Sequence, residues 1–275
     1  MSRALTDRVR GRAFVTGGAS GIGAALCRTL GRAGVPVCVV DVDELGARAV
    51  AQELNDAGHD ARAMVLDVSN RQAFVDAIDE AEADGVPVDL LINNAGVGLG
   101  GEIRDNTADD WHRILSVNLY GVVHGVDAVY SRMLDRGRGS IVNIASLAGL
   151  VAVPGEGPYV ASKHAVVGLT KVLAAEAAAL GVDVLLVCPG VVRTPIYESS
   201  PTRGFDADKI LSMWPKGITA EQCAARIVRG IAARERQIVV TRSAKAMWWL
   251  ERLSPRLMAR FGRVYMERAR QHRVD

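Results

Sequence analysis

Seven short runs of almost unbroken apolar residues punctuate the first 241 positions, and a helix-patterned stretch follows each of the first six. The runs are RAFVTG (12–17), PVCVVD (36–41), ARAMVLDV (61–68), VDLLINNAG (88–96), GSIVNIAS (139–146), VDVLLVCPG (182–190) and RQIVVT (236–241). A strand with one wet face alternates apolar and polar residues, whereas a strand covered on both faces is apolar throughout. Repeated βα alternation therefore predicts a parallel sheet with helices on both sides. Right-handed crossovers then favour a doubly wound α/β sheet, the Rossmann fold. The intervening patterns predict helices over 21–34, 43–58, 70–85, 107–137, 157–181 and 219–234. A chain of 275 residues with 49% hydrophobic content has ample material for such a core. We expect one domain over 1–241 and a helical extension over 242–275.

The turn after the first run reads TGGASGIG, with Gly17, Gly21 and Gly23 spaced G-x-x-x-G-x-G ahead of a helix. Glycines permit positive φ and close approach of backbone to a ligand. A helix N-terminus presents free N–H groups and the positive end of its dipole to a phosphate. The same pattern also serves a plain tight βα turn. Asp41 ends the second run 18 residues beyond Gly23, near the spacing at which a carboxylate meets an adenosine ribose. Ser20 precedes Gly21 and Val42 follows Asp41, so no cation stands there for a 2′-phosphate. This favours NAD over NADP.

Downstream, PYVASKHA places Tyr159 and Lys163 four residues apart, on one helix face. Alone, that spacing also suits a solvated surface pair. With TGGASGIG, Asp67–Val68, NNAG (93–96), Asn118 in SVNLYG, Ser146 in NIAS and PGVVRT (189–194), the chain resembles the short-chain dehydrogenase/reductase family over about residues 10–240. The resemblance implies a nicotinamide dinucleotide, here NAD. Gly17, Ser20, Gly21, Ile22 and Gly23 would cradle the pyrophosphate. Asp41 would hold the ribose, and Asp67 and Val68 would bound the adenine. Asn94, Ala95 and Gly96 would line the cofactor. Pro189 and Gly190, then Val191 or Val192, with Thr194, would reach the nicotinamide. Asn118, Ser146, Tyr159 and Lys163 would be the catalytic group, with Asn118 anchoring a water behind Lys163. The resemblance also implies a dimer or tetramer built on the helices at about 108–135 and 158–179.

The chemistry needs such a group. A phenol titrates near pH ~10, and a neighbouring ammonium favours its phenolate. Tyr159 could then take the alcohol proton, or return it to an alkoxide. Ser146 can hold the substrate oxygen. The expected reaction interconverts a hydrophobic secondary alcohol and its ketone. An NAD-binding regulator without turnover, or a dehydratase or epimerase on the same fold, is the alternative.

Substrate choice is expected from a lid over 195–218, with Ile196, Tyr197, Phe205, Ile210, Leu211, Met213 and Trp214 as lining. Leu147, Val151, Val153 and Pro154 would add wall. The extension carries net charge +6 and the remainder −4, so nucleic-acid binding by the body is not expected. Ser243 and Ser254 read as helix caps in the extension. Its basic, amphipathic pattern admits packing on the body, cover for the substrate mouth, or peripheral contact with a membrane. Cys27, Cys38, Cys188 and Cys223 form no CxxC pair, and no metal site is expected. Apolar surroundings for Cys38 and Cys188, and no signal-like start, predict a reduced, cytoplasmic protein.

Overall fold

The computed structural model describes residues 2–274, with side chains from residue 4. A short helix α1 (Ser2–Thr6) precedes β1 (Arg12–Thr16), α2 (Gly21–Arg32), β2 (Val37–Asp41), α3 (Glu44–Asp56), β3 (Ala61–Val65), α4 (Arg71–Glu82) and β4 (Val88–Asn93). The chain continues through α5 (Ala108–Leu115), α6 (Gly121–Asp135), β5 (Gly139–Ile144), α7 (Gly157–Glu176) and β6 (Val182–Cys188). Then come the two-residue β7 (Val192–Arg193), α8 (Ile196–Ser199), α9 (Ala207–Ser212), the two-residue β8 (Ile218–Thr219), α10 (Ala220–Ala232), β9 (Gln237–Val239), α11 (Arg242–Leu253) and α12 (Pro255–Ala269).

Seven strands form one parallel sheet in the order β3-β2-β1-β4-β5-β6-β9. The fold is therefore the doubly wound one expected. The order reverses at β1, which opens a crevice at the carboxyl ends of β1 and β4. Period-two alternation sends Ala13 and Val15 to one face, where α1, α2, α3 and α10 cover them. Phe14, between them, packs on the other face with Phe74 of α4 and Met133 of α6. Both faces are dry, which explains the unbroken apolar runs.

Two expectations need correction. The single helix predicted over 107–137 is continuous over 108–135 but not α throughout, since a π turn at Ser116–Tyr120 joins α5 to α6. Such turns often interrupt helices at functional sites. The caps of the extension also differ. Thr241, not Ser243, accepts the Ala244 N–H at the start of α11. Ser254, at φ −149° and ψ 77°, makes no side-chain cap. Helix α1 had no counterpart in the sequence reading.

Candidate active site

The crevice at the reversal is a cleft of ≈ 500 Å³. Gly17, Ser20, Gly21, Ile22, Asp41, Asp67, Val68, Asn94, Ala95 and Gly96 line it, together with Pro189, Gly190, Val192, Thr194, Ser146, Tyr159 and Lys163. Local bonds hold this wall together. Thr16 Oγ1 accepts from the N–H groups of Asn94 and Ala95, each at 3.0 Å. The Asn94 amide donates back to the carbonyls of Thr16 and Gly17 at 2.9 and 3.2 Å. The end of β4 is thus stitched to the glycine turn. Asp41 accepts from the Ala19 and Asp43 N–H groups at 2.9 and 3.0 Å. Asp67 caps its own turn through Ser69.

The glycine turn fits a phosphate-bearing group on geometric grounds. Gly17 sits at φ +65°, and a Cβ there would stand 2.9 Å from the Ala95 Cα. Gly23 acts differently from the expected cradle. It does not line the cleft, and its Cβ would lie 1.9 Å from the Gly17 carbonyl oxygen. Its job is to let α2 press against the turn, so that the helix N-terminus faces the cleft.

Helix α7 carries the tyrosine and lysine expected to be catalytic. Tyr159 and Lys163 share its inward face, with the Lys163 Nζ 5.7 Å from the phenol ring centre. Lys163 is buried and donates to the Ile144 carbonyl at 3.1 Å. Ser146, just beyond β5, accepts the Ala148 N–H, and it lines both the cleft and the neighbouring cavity together with Tyr159. Asn118 stands behind the cleft, fully buried in the π turn. Its Oδ1 accepts the Val97 N–H at 2.8 Å, and its amide donates to the Val97 carbonyl and to Ser162 Oγ at 2.9 and 3.2 Å. Ser162 in turn donates to the Tyr159 carbonyl at 2.7 Å. Asn118 thus fixes the backbone beside the cleft and the turn of α7 that carries Tyr159.

The electrostatics depart from the simple picture of an ammonium pulling a phenol toward phenolate. Burial pushes Tyr159 above its ordinary value, the Glu156 charge adds to this, and the Ser146 hydrogen bond opposes it. Burial also lowers Lys163 to about 8, which weakens the cation itself. Desolvation wins over the pair interaction here.

A second cavity of ≈ 310 Å³ shares Ser146, Tyr159, Gly190, Ile196 and Tyr197 with the cleft. Leu147, Val153, Ile210, Leu211 and Trp214 supply its apolar wall, as expected, and Tyr197 packs on Trp214 with ring centres 5.7 Å apart. Met213 does not line it, because it caps the C-terminal end of α9. Phe205 is buried beneath the Arg273 guanidinium, 5.5 Å from its ring centre. Val151 is buried, and Pro154 meets Gly262 of α12 instead.

One lining residue escaped the sequence reading. Glu156, in PGEGPY, lies three residues before Tyr159 and opens into the second cavity. Burial raises its carboxyl to about 8, and its charge raises Tyr159, Tyr197 and Tyr265 in turn. The only available signal was an acidic residue amid glycines close to the tyrosine.

A family model described as short chain dehydrogenase matches residues 12–203. The acetoacetyl-CoA reductase of Rhizobium meliloti is 37% identical over 220 residues, 76% of this chain and 85% of its own. The 3-alpha-(or 20-beta)-hydroxysteroid dehydrogenase of Mycobacterium tuberculosis is 40% identical over 198 residues, 72% of this chain and 75% of its own. Among solved structures, a short chain dehydrogenase/reductase from Burkholderia phymatum in complex with NAD superposes with TM-score 0.84 at 33% identity, covering 90% of this chain and 95% of its own. A short-chain dehydrogenase from Sphingobium yanoikuyae in complex with NADPH superposes with TM-score 0.77 at 27% identity, covering 90% and 95%. The chain belongs to the short-chain dehydrogenase/reductase family, whose members here are oxidoreductases of alcohol and ketone substrates.

Proposed function

We propose that the protein interconverts a hydrophobic secondary alcohol and its ketone with NAD, using Tyr159 as the proton-transfer group. The observation that carries this reading is the junction of the two cavities at Ser146 and Tyr159. A group bound in the long cleft and a substrate in the apolar pocket meet at those hydroxyls. A nicotinamide held there would supply the hydride acceptor or donor and, when oxidised, a positive charge. Ser146 holds the substrate oxygen, and Tyr159 moves its proton. Lys163 orients the cofactor side and supplies charge. The Asn118 network keeps α7 in register. Turnover of steroid, retinoid, acyl and small diol substrates, read as NADH absorbance, tests this. Tight NAD binding with no turnover across that set would favour a regulator.

NAD is the preferred cofactor in this reading because Asp41 sits at the cleft end with Val42 beside it. A 2′-phosphate there would face a carboxylate without a countercharge. Asp41→Ala should lower the NAD-over-NADP ratio of kcat/KM by about tenfold or more, since one charge interaction of about 1.4 kcal/mol is a factor of ten. A wild-type preference for NADP would overturn the assignment.

An oligomer fits exposed Tyr120 beside the π turn, Val123 on α6 and Val172 on α7. A reducing, cytoplasmic setting fits four buried, unpaired cysteines. A dimer or tetramer would appear directly in light scattering.

A further inference from the structure

The extension has two unlike sides. Its inner side is fastened to the body. Arg270 pairs with Glu102 at 2.6 Å, and Arg273 with Asp105 at 2.6 Å. Tyr265 stands near Trp214 and Glu156, and Met258 and Ala269 are buried. The outer side leaves large apolar side chains in solvent. Trp249 is 53% exposed, Leu253 at the end of α11 79%, and Phe261 55%. Leu257 and Val264 join them, so that 257, 261 and 264 form one stripe of α12. Arginine stands next in sequence to four of these five: Arg252 by Leu253, Arg256 by Leu257, Arg260 by Phe261 and Arg263 by Val264. The Arg252 guanidinium lies over both indoles, 5.5 Å from Trp248 and 5.6 Å from Trp249.

We propose that the outer side of α11 and α12 docks on an anionic lipid bilayer. Three observations select that occupant. Among the described residues, no other segment covers these side chains. The apolar positions are flanked by long cations, which bury their stems while keeping charge at the headgroups. Trp249 is the residue type that settles at that boundary. Finally, residues 242–275 carry +6 while the rest of the chain carries −4, so an anionic surface attracts the extension and repels the body. Among the described residues no helix is long and apolar enough to cross a membrane, so the contact is peripheral. Helix α12 also packs on Pro154 through Gly262, and its Tyr265 lies near Trp214 and Glu156 of the apolar pocket. The docked face and the pocket therefore share one helix, a sensible arrangement for a substrate dissolved in lipid.

The test is co-sedimentation of the full-length protein with phosphatidylcholine vesicles, with and without phosphatidylglycerol. The protein should pellet with the phosphatidylglycerol vesicles and release as salt rises. Arg256→Glu with Arg260→Glu should cut that partitioning by about tenfold or more. Leu253→Glu with Phe261→Glu should abolish it. Unchanged melting by circular dichroism shows that these surface variants still fold, and the arginine pair decides the matter if the other pair does not. Wild type left in the supernatant with both vesicles overturns the proposal. So does an oligomer that falls apart on Leu253→Glu with Phe261→Glu without any vesicle binding, which would assign the face to a second copy of this chain. Equal pelleting with both vesicle types would overturn the electrostatic basis.

Discussion

Turnover of Tyr159→Phe falls by about 10²- to 10⁴-fold, the usual worth of a positioned proton-transfer group, while cofactor affinity stays within about twofold. The second half of that expectation follows from the architecture. The glycine turn, the Asn94 stitch and Asp41 hold the far part of the cleft, and none of them touches the phenol oxygen. Loss of that oxygen removes the proton path but leaves the ring against Lys163. NADH absorbance with any responsive substrate gives kcat and KM, and calorimetry with NAD gives the affinity. Near-normal turnover would remove Tyr159 from the chemistry. The state of the phenol adds a directional prediction. Burial keeps it protonated, and the charge that Glu156 gains above about pH 8 adds to this. It is thus ready to donate to a ketone, and must lose its proton before it can accept one from an alcohol. Oxidation should therefore rise with pH across the neutral range, whereas reduction should not.

What the sequence made legible was mostly local. Continuous apolar runs report a two-sided environment, so all seven sheet strands could be placed within a few residues. Tyr159 and Lys163 could be paired because helical periodicity alone fixes their common face. The glycine turn was legible for the same reason, yet the division of labour within it was not. Gly21 lines the cleft while Gly23 answers to the Gly17 carbonyl, a contact visible only once the strand and helix are packed. The lid shows the same limit. Apolar residues at 205, 210, 211, 213 and 214 look alike in sequence. Arg273, far onward in the sequence, seats Phe205 away from the pocket, and the end of α9 turns Met213 out of its lining. The π turn is likewise a tertiary effect, since Asn118 earns its place by bonding Val97 across the cleft wall.

Glu156→Gln is the change expected to separate stability from chemistry most clearly. A carboxyl raised to about 8 in the folded chain has an ordinary value near 4.5 once unfolded. Between those values the folded state holds a proton that the unfolded state has released. Stability therefore falls as pH rises from about 4.5 to about 8, and the full loss persists above that range. Glutamine carries no such proton, so the variant should match wild type near pH 5 and exceed it near pH 8 to 9. Because the carboxyl opens into a pocket and is partly screened, the gain is about 2–3 kcal/mol rather than the whole shift. For a chain of this size that is about 4–8 °C in melting temperature. Lys163, lowered to about 8, behaves oppositely: it adds stability as pH rises beyond that point. It is present in both proteins, so the difference between their melting curves isolates Glu156. The same substitution removes a charge that raises Tyr159, so the alkaline-favoured limb of alcohol oxidation should move to lower pH. A stability difference independent of pH would show that Glu156 is charged and solvated in the folded protein. A shifted melting curve with an unmoved rate profile would show that its carboxyl acts on the pocket without reaching the phenol.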